Sequence, residues 1–224
     1  MDEYISFEQI PFGSDSFADN PEPRCPCVLL LDTSGSMAGK PLDELNAGIQ
    51  TFKKELLGDS LATKRVEIAL VTFGPVQLQV DFETVNNFHP KELNTTGDTP
   101  LGEAIELGID LVNKRKKLYK ENGIAYYKHW IILITDGEPT DPYLHAASLV
   151  KEGEANKSFA FFAIGVEGAN MQILKQISAR QPLKLKGLMF REFFLWLSAS
   201  MKMVSVKDPS SSISLLPPTG WSEL

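Results

Sequence analysis

A chain of 224 residues with 43% hydrophobic and 23% charged side chains has the mix of an ordinary globular protein, long enough to bury a core without disulfides or structural metals. Its net charge of −7 argues against nucleic acid and against an anionic membrane surface as the main partner. The longest apolar runs, Trp130 to Ile134 and Phe193 to Leu197, fall far short of a bilayer span. The acidic start Met1-Asp2-Glu3-Tyr4 lacks a signal-peptide pattern, so a cytoplasmic location is expected.

Residues 1–24 read as an extended lead-in, punctuated by Phe12-Gly13-Ser14 and Pro21-Glu22-Pro23. The only two cysteines follow as Cys25-Pro26-Cys27, too few for a zinc ribbon or a disulfide framework. In an extended strand their Cα atoms lie roughly 6–7 Å apart, which disfavours a bond between them. Two reduced, half-buried thiols leading into a core strand are expected. Cys27 to Leu31 is a continuous apolar run ending in Asp32, the pattern of a strand buried on both faces.

Pro41 marks a first helical position, and Leu42, Leu45, Ile49, Phe52 and Leu56 follow at helical spacing until Gly58. Val66 to Phe73 is a second strand; Gly74-Pro75 turns it into the alternating run Val76 to Phe82, a half-exposed antiparallel edge strand. A polar loop spans 83–98, and Thr99-Pro100 then opens a helix as cap and proline, with Leu101, Ala104, Ile105, Gly108, Leu111, Val112 and Leu118 on its buried side. The basic run Lys114 to Lys117, with Lys120, reads as a solvated face near the end of that helix. Trp130 to Thr135 is another buried strand ending in an aspartate, Asp136. A helix from near Pro142 to Lys151, a strand Phe159 to Val166, a short helix Met171 to Ser178, a weak strand Leu183 to Leu188 and a last helix over 190–203 follow. Residues 205–224, with three consecutive serines and Pro217-Pro218, read as an extended or disordered tail.

Alternating strands and helices predict an α/β domain over 25–204: a doubly wound, mostly parallel central sheet with one antiparallel edge strand and helices on both faces. In such folds ligands lie beyond the carboxyl ends of the strands, where neighbouring connections diverge. That rule points to the loops after Leu31 and after Thr135. They carry Asp32-Thr33-Ser34-Gly35-Ser36 and Thr135-Asp136-Gly137-Glu138-Pro139, and Thr96-Gly97-Asp98-Thr99-Pro100 precedes a helix expected to start at the same rim. Together they offer hydroxyls from Ser34, Ser36 and Thr99 and carboxylates from Asp32 and Asp136, with no His or Cys nearby. An oxygen-only set suits a hard cation, Mg²⁺, Mn²⁺ or Ca²⁺, and leaves a coordination position for an anionic oxygen from outside. Ser34 and Ser36, two apart, face one way in extended geometry. Asp98, Glu138 and Asp141 read as neighbours that tune the field and cap helices rather than as ligands.

Asp32-x-Ser34-x-Ser36 after an apolar strand, then Thr99, then Thr135-Asp136-Gly137 after another, resembles the metal-ion-dependent adhesion site of von Willebrand factor type A domains over roughly residues 26–200. That resemblance implies direct ligation by Ser34, Ser36 and Thr99, with Asp32 and Asp136 acting directly or through water, and a Glu or Asp of a protein partner as a further ligand. Leu30 to Met37 and Thr99 to Ala104 are similar to the compact bacterial TerY branch of tellurium-resistance stress systems, which implies an associated kinase or phosphatase as partner. The rival reading is a Mg²⁺-dependent phosphoryl hydrolase with Asp32 as nucleophile. It lacks the second aspartate two residues on, where Ser34 stands. Gly35 to Lys40 is one residue short of a phosphate-binding loop, and His89, His129 and His145 fall in unrelated contexts, with no Ser-His-Asp pattern.

Overall fold

In the computed structural model, which describes residues 17, 19–209 and 216–223, the apolar run at Cys27 is part of β1 (Cys25–Asp32), buried at all eight positions. The expected lead-in lies outside the described residues for 1–16 and 18, and so do 210–215 and 224 of the tail. β1 lies between two parallel neighbours, β2 (Val66–Phe73) and β4 (His129–Thr135), and every position of both is buried. The sheet continues outward through β3 (Gln77–Thr84) on the β2 side and through β5 (Phe159–Gly165), β6 (Leu183–Leu185) and β7 (Ser222–Glu223) on the other. The order is β3-β2-β1-β4-β5-β6-β7.

Side-chain alternation along β1 divides the core in two. Cys25, Cys27, Leu29 and Leu31 face α1 (Lys40–Leu57) and α6 (Phe190–Ser205), whose apolar stripes include Leu45, Ile49, Phe52, Phe193, Phe194 and Leu197. Val28 and Leu30 face α3 (Leu101–Glu121), α4 (Leu144–Ala155) and α5 (Met171–Ile177), through residues such as Ala104, Ile105, Val150 and Leu174. A four-residue helix, α2 (Ala62–Arg65), leads into β2. The layered architecture is the doubly wound one expected.

Several details differ from the sequence reading. Both cysteines are fully rather than half-buried, because Pro26 and its neighbours lie inside the sheet; burial, reinforced by Glu67, pushes the Cys25 thiol up to about 12. The sheet has antiparallel strands at both edges, since β3 pairs antiparallel with β2 and β7 antiparallel with β6. Residues 216–223 return to the sheet because Trp221 has an apolar socket: its ring lies 5.0 Å from Phe193 and 5.2 Å from Trp196, and Trp196 Nε1 donates to Leu216 O at 2.9 Å. Finally, α4 begins at Leu144 and runs to Ala155, past the last apolar residue that periodicity registers, and the weak strand shrinks to Leu183–Leu185.

At the amino-terminal pole of the strands, Glu67 is a buried carboxylate closed by cations. Arg24 Nε donates at 2.8 Å, Arg115 Nε at 2.9 Å and Tyr119 OH at 2.5 Å. Nearby, His129 is fully buried between Tyr119 and Tyr126, and neither ring nitrogen has a hydrogen-bond partner among the described residues. Burial, followed by the charges of Lys116 and Arg115, holds its pKa well below the ordinary 6.5. The unfolded chain takes up this proton near pH 6.5 and the folded chain does not. The group therefore favours folding above that pH, and the advantage is lost as pH falls below it. Between pH 7.5 and 5.0 the wild type is expected to lose more unfolding free energy than His129→Phe, measured by urea titration. Equal losses in the two proteins would show that the imidazole is not held neutral.

Candidate functional site

The chain leaves β1 through α1 toward β2, and leaves β4 through α4 toward β5, so the two connections diverge to opposite faces. The crevice between them is bounded by Asp32, the last residue of β1, and Asp136, the first after β4. Asp32 is completely buried. Its Oδ1 accepts the Ser34 N–H at 2.8 Å, and its Oδ2 accepts the Thr135 hydroxyl. A 3-10 turn, Gly35–Met37, then brings Ser36 back over Ser34, with the two Oγ atoms 3.0 Å apart. The serines meet through this turn and not through extended geometry, so the expected route differs although they converge. The Ser36 hydroxyl donates to Asp136 Oδ1 at 2.7 Å, linking the β1 loop to the β4 loop across 100 residues of sequence.

Backbone hydrogen bonds add the third loop. Thr33 N–H donates to Phe73 O at 2.9 Å, Thr96 N–H to Thr33 O at 2.8 Å, and Gly35 N–H to Gly97 O at 3.3 Å. Gly74 is where these segments stack: its φ is +115°, and a Cβ there would lie 2.7 Å from Thr96 O and 3.0 Å from Ser34 N. No side chain fits that gap.

Thr99 is 6% exposed and tied to the β4 loop: its N–H donates to Thr140 Oγ1 at 3.1 Å, and Thr140 N–H returns to Thr99 O at 2.9 Å. A Cβ on Gly137 would lie 3.0 Å from Thr99 Oγ1 and 3.6 Å from Asp32 Oδ2, so hydroxyl and carboxylate face the same small space. The expectation that Thr99 caps the helix is corrected. The residue next to the helix is Pro100, without a side-chain cap, and Thr99 lies one position too early. The cap comes from Asp141 in the β4 loop, which accepts Gly102 N–H at 3.0 Å and Glu103 N–H at 2.8 Å. The Thr99 hydroxyl has no hydrogen-bond partner among the described residues.

Asp32, Ser34, Ser36, Thr99 and Asp136 are thus gathered at one crevice. Among the described residues no three His, Cys, Asp or Glu side chains converge as a metal-binding group; the set here is two carboxylates and three hydroxyls. Burial raises the pKa of Asp32, offset by hydrogen bonds from Ser34 and Thr135, with Asp136 adding repulsion. Burial also raises that of Asp136, offset by Ser36. Sequence reasoning missed the Thr135 hydroxyl, which ends a strand in the pattern of any buried residue. It also missed Asn170, whose side chain accepts from Gln172 and Ile173 N–H and donates to Glu138 Oε1 at 2.8 Å. An asparagine directly before Met171 was a readable cap signal.

Fold and crevice together define a doubly wound α/β domain with an oxygen-lined pole at its topological switch point. The chain belongs to the von Willebrand factor type A domain family, whose model matches residues 27–192. It resembles in fold the proximal thread matrix protein 1 of the mussel byssus (16% identity, TM-score 0.55, covering 81% of this chain and 49% of that one). It is also similar to the pilus adhesin SpaC of Lactobacillus rhamnosus GG (15%, 0.64, 82% and 31%) and to the vWF domain of the type V pili tip protein Mfa5 of Porphyromonas gingivalis (13%, 0.54, 83% and 95%). The chain spans less than half the length of the mussel and Lactobacillus proteins. No curated protein matches it in sequence. No helix among the described residues is long and apolar enough to cross a membrane.

The two candidate roles of Thr99 separate cleanly. Asp141→Ala is expected to cost about 1 kcal/mol of stability in metal-free buffer through loss of the α3 cap, and Thr99→Ala less than about half of that. Chemical denaturation of both variants measures it. A larger loss in Thr99→Ala would return the cap to Thr99.

Proposed function

We propose that this domain holds a divalent cation, Mg²⁺ or its relatives Mn²⁺ and Ca²⁺, between Ser34, Ser36, Thr99, Asp32 and Asp136, and uses it to bind a carboxylate of a protein partner. The observation that carries the reading is a charge deficit. Two carboxylates, the wholly buried Asp32 and the half-buried Asp136, are met among the described residues only by hydroxyls and backbone N–H groups, whereas the buried Glu67 at the other pole is closed by two guanidinium groups. A cation at the crevice relieves the repulsion between them, and its oxygen donors suit a hard ion rather than a soft one. The Thr99 hydroxyl, not engaged in a cap, is available to it. In this reading the hydroxyls ligate directly and the aspartates directly or through water. The bound ion stays electrophilic toward a Glu or Asp from outside. The family is known for metal-dependent protein interactions, which agrees with that role.

In this proposal the partner is a kinase or phosphatase of a bacterial tellurium-resistance or stress-signalling system in the cytoplasm, a reading supported by the similarity of Leu30 to Met37 and Thr99 to Ala104 to the TerY branch. A phosphoryl hydrolase built on Asp32 is disfavoured. That carboxylate is wholly buried, both its oxygens already accept hydrogen bonds, and no second acid stands two residues on.

Calorimetric titration with Mg²⁺ or Mn²⁺ is expected to show one site per chain, weakened at least about tenfold in Asp32→Ala and in Thr99→Ala (more than 1.4 kcal/mol). Affinity capture should then recover a partner that chelator releases and Asp32→Ala fails to hold. Absence of metal uptake at millimolar supply ends the reading, and capture indifferent to chelator ends its second half.

A further inference from the structure

The loops bordering the crevice carry one sign of charge, although Lys184, paired with Glu223 at 2.7 Å, lies close enough to Glu167 to interact with it. The surrounding loops, residues 32–39, 74–76, 94–100, 136–143 and 166–170, contain six carboxylates and no lysine, arginine or histidine. Among residues directly flanking these loops, Lys40 at the start of α1 is the single base. Asp32 and Asp136 line the crevice, and Asp141 is engaged by α3. That leaves Asp98, Glu138 and Glu167, all exposed, with exposed Glu103 in the first turn of α3. Local contacts set the Glu138 side chain and the backbone of the Asp98 and Glu167 loops. Glu138 is held by Asn170, the Asp98 carbonyl packs on Gly74, and a Cβ on Gly168 would lie 3.5 Å from Asp136 O, which sets the Glu167 loop against the β4 loop. The Thr99 side chain, 6% exposed and with a hydroxyl that has no hydrogen-bond partner among the described residues, lies with Asp32 Oδ2 around the Gly137 gap and marks where a ligand is accommodated within this ring.

A doubly charged cation is formally matched by Asp32 and Asp136 alone. Four further carboxylates then present a negative surface to anything approaching within a Debye length, about 8 Å at physiological salt. A bare carboxylate or an acidic segment is attracted only on contact with the ion and repelled on the way in. Cationic side chains beside the incoming carboxylate reverse that penalty and reject acidic competitors.

We infer that the partner carboxylate is carried on a basic segment, a Glu or Asp flanked within a few residues by Lys or Arg that meet Asp98, Glu103, Glu138 and Glu167. The inference rests on the reading that the crevice holds a divalent cation. The test uses three labelled synthetic peptides of equal length: a central Glu flanked by lysines, the same Glu flanked by serines, and a central Gln flanked by lysines. Binding is followed by fluorescence anisotropy in Mg²⁺, with metal uptake measured separately by calorimetry.

The lysine-flanked Glu peptide is expected to bind at least tenfold tighter than the serine-flanked one, with a gap that narrows as salt rises. Chelator, or Gln in place of Glu, should abolish binding, and the double variant Glu138→Lys, Glu167→Lys should remove the preference. Equal binding of the two Glu peptides by a protein that takes up Mg²⁺ overturns the inference and leaves the metal reading intact. Lysine-dependent binding that ignores chelator and tolerates Gln overturns the metal reading instead.

Discussion

A carboxylate that ends the innermost strand of a sheet has to be stabilised where it stands. Asp32 follows seven buried residues, lies between two parallel neighbours and has no exposure of its own. Desolvating such a group costs several kcal/mol unless it is hydrogen-bonded and electrically matched. The Ser34 N–H and the Thr135 hydroxyl meet the first requirement and, in doing so, fix the course of the chain after β1 and the end of β4. Ser36 then reaches Asp136, and Thr33 binds the end of β2, so the loops at this pole are indexed to one another through this short segment.

The second requirement sets the two poles of the sheet apart. At the amino-terminal pole the buried Glu67 is matched within the chain by Arg24 and Arg115, a closed cluster with no evident need of a ligand. At the carboxyl-terminal pole the surrounding loops offer no cationic side chain, and both aspartates are shifted toward the protonated form by burial. The protein thus carries its own contrast: the same problem solved internally at one end and, in the proposed reading, left to an external charge at the other. The sheet also explains why the site is here, because the β1 and β4 crossovers separate only at this point.

Much of this was legible in the sequence, and the reasons are local. Apolar runs such as Leu29 to Leu31 and Ile131 to Ile134 have no polar alternation, so they read as doubly covered strands, and their terminal aspartates point to the rim. The helix faces of α1 and α3 follow from residues spaced by three and four. Long-range choices were less visible. Whether Thr99 or Asp141 caps α3 depends on a contact between loops 39 residues apart, and the 3-10 turn that brings Ser36 over Ser34 has no hydrophobic period to betray it. Trp221 inside a serine- and proline-rich tail was a residue whose burial had to be found somewhere, but composition gave no hint of the socket at Phe193 and Trp196. Glu67 and His129 sit among apolar neighbours, where pattern alone does not reveal their partners.

The most direct measurement is a crystal of the protein grown with Mn²⁺ and examined by anomalous scattering at the manganese edge. A peak within coordination distance, about 2.0–2.3 Å, of the Ser34, Ser36 and Thr99 hydroxyl oxygens is the predicted result. A well-ordered crevice with no peak, or manganese bound only elsewhere on the chain, would contradict the claim that these oxygens exist to hold a cation.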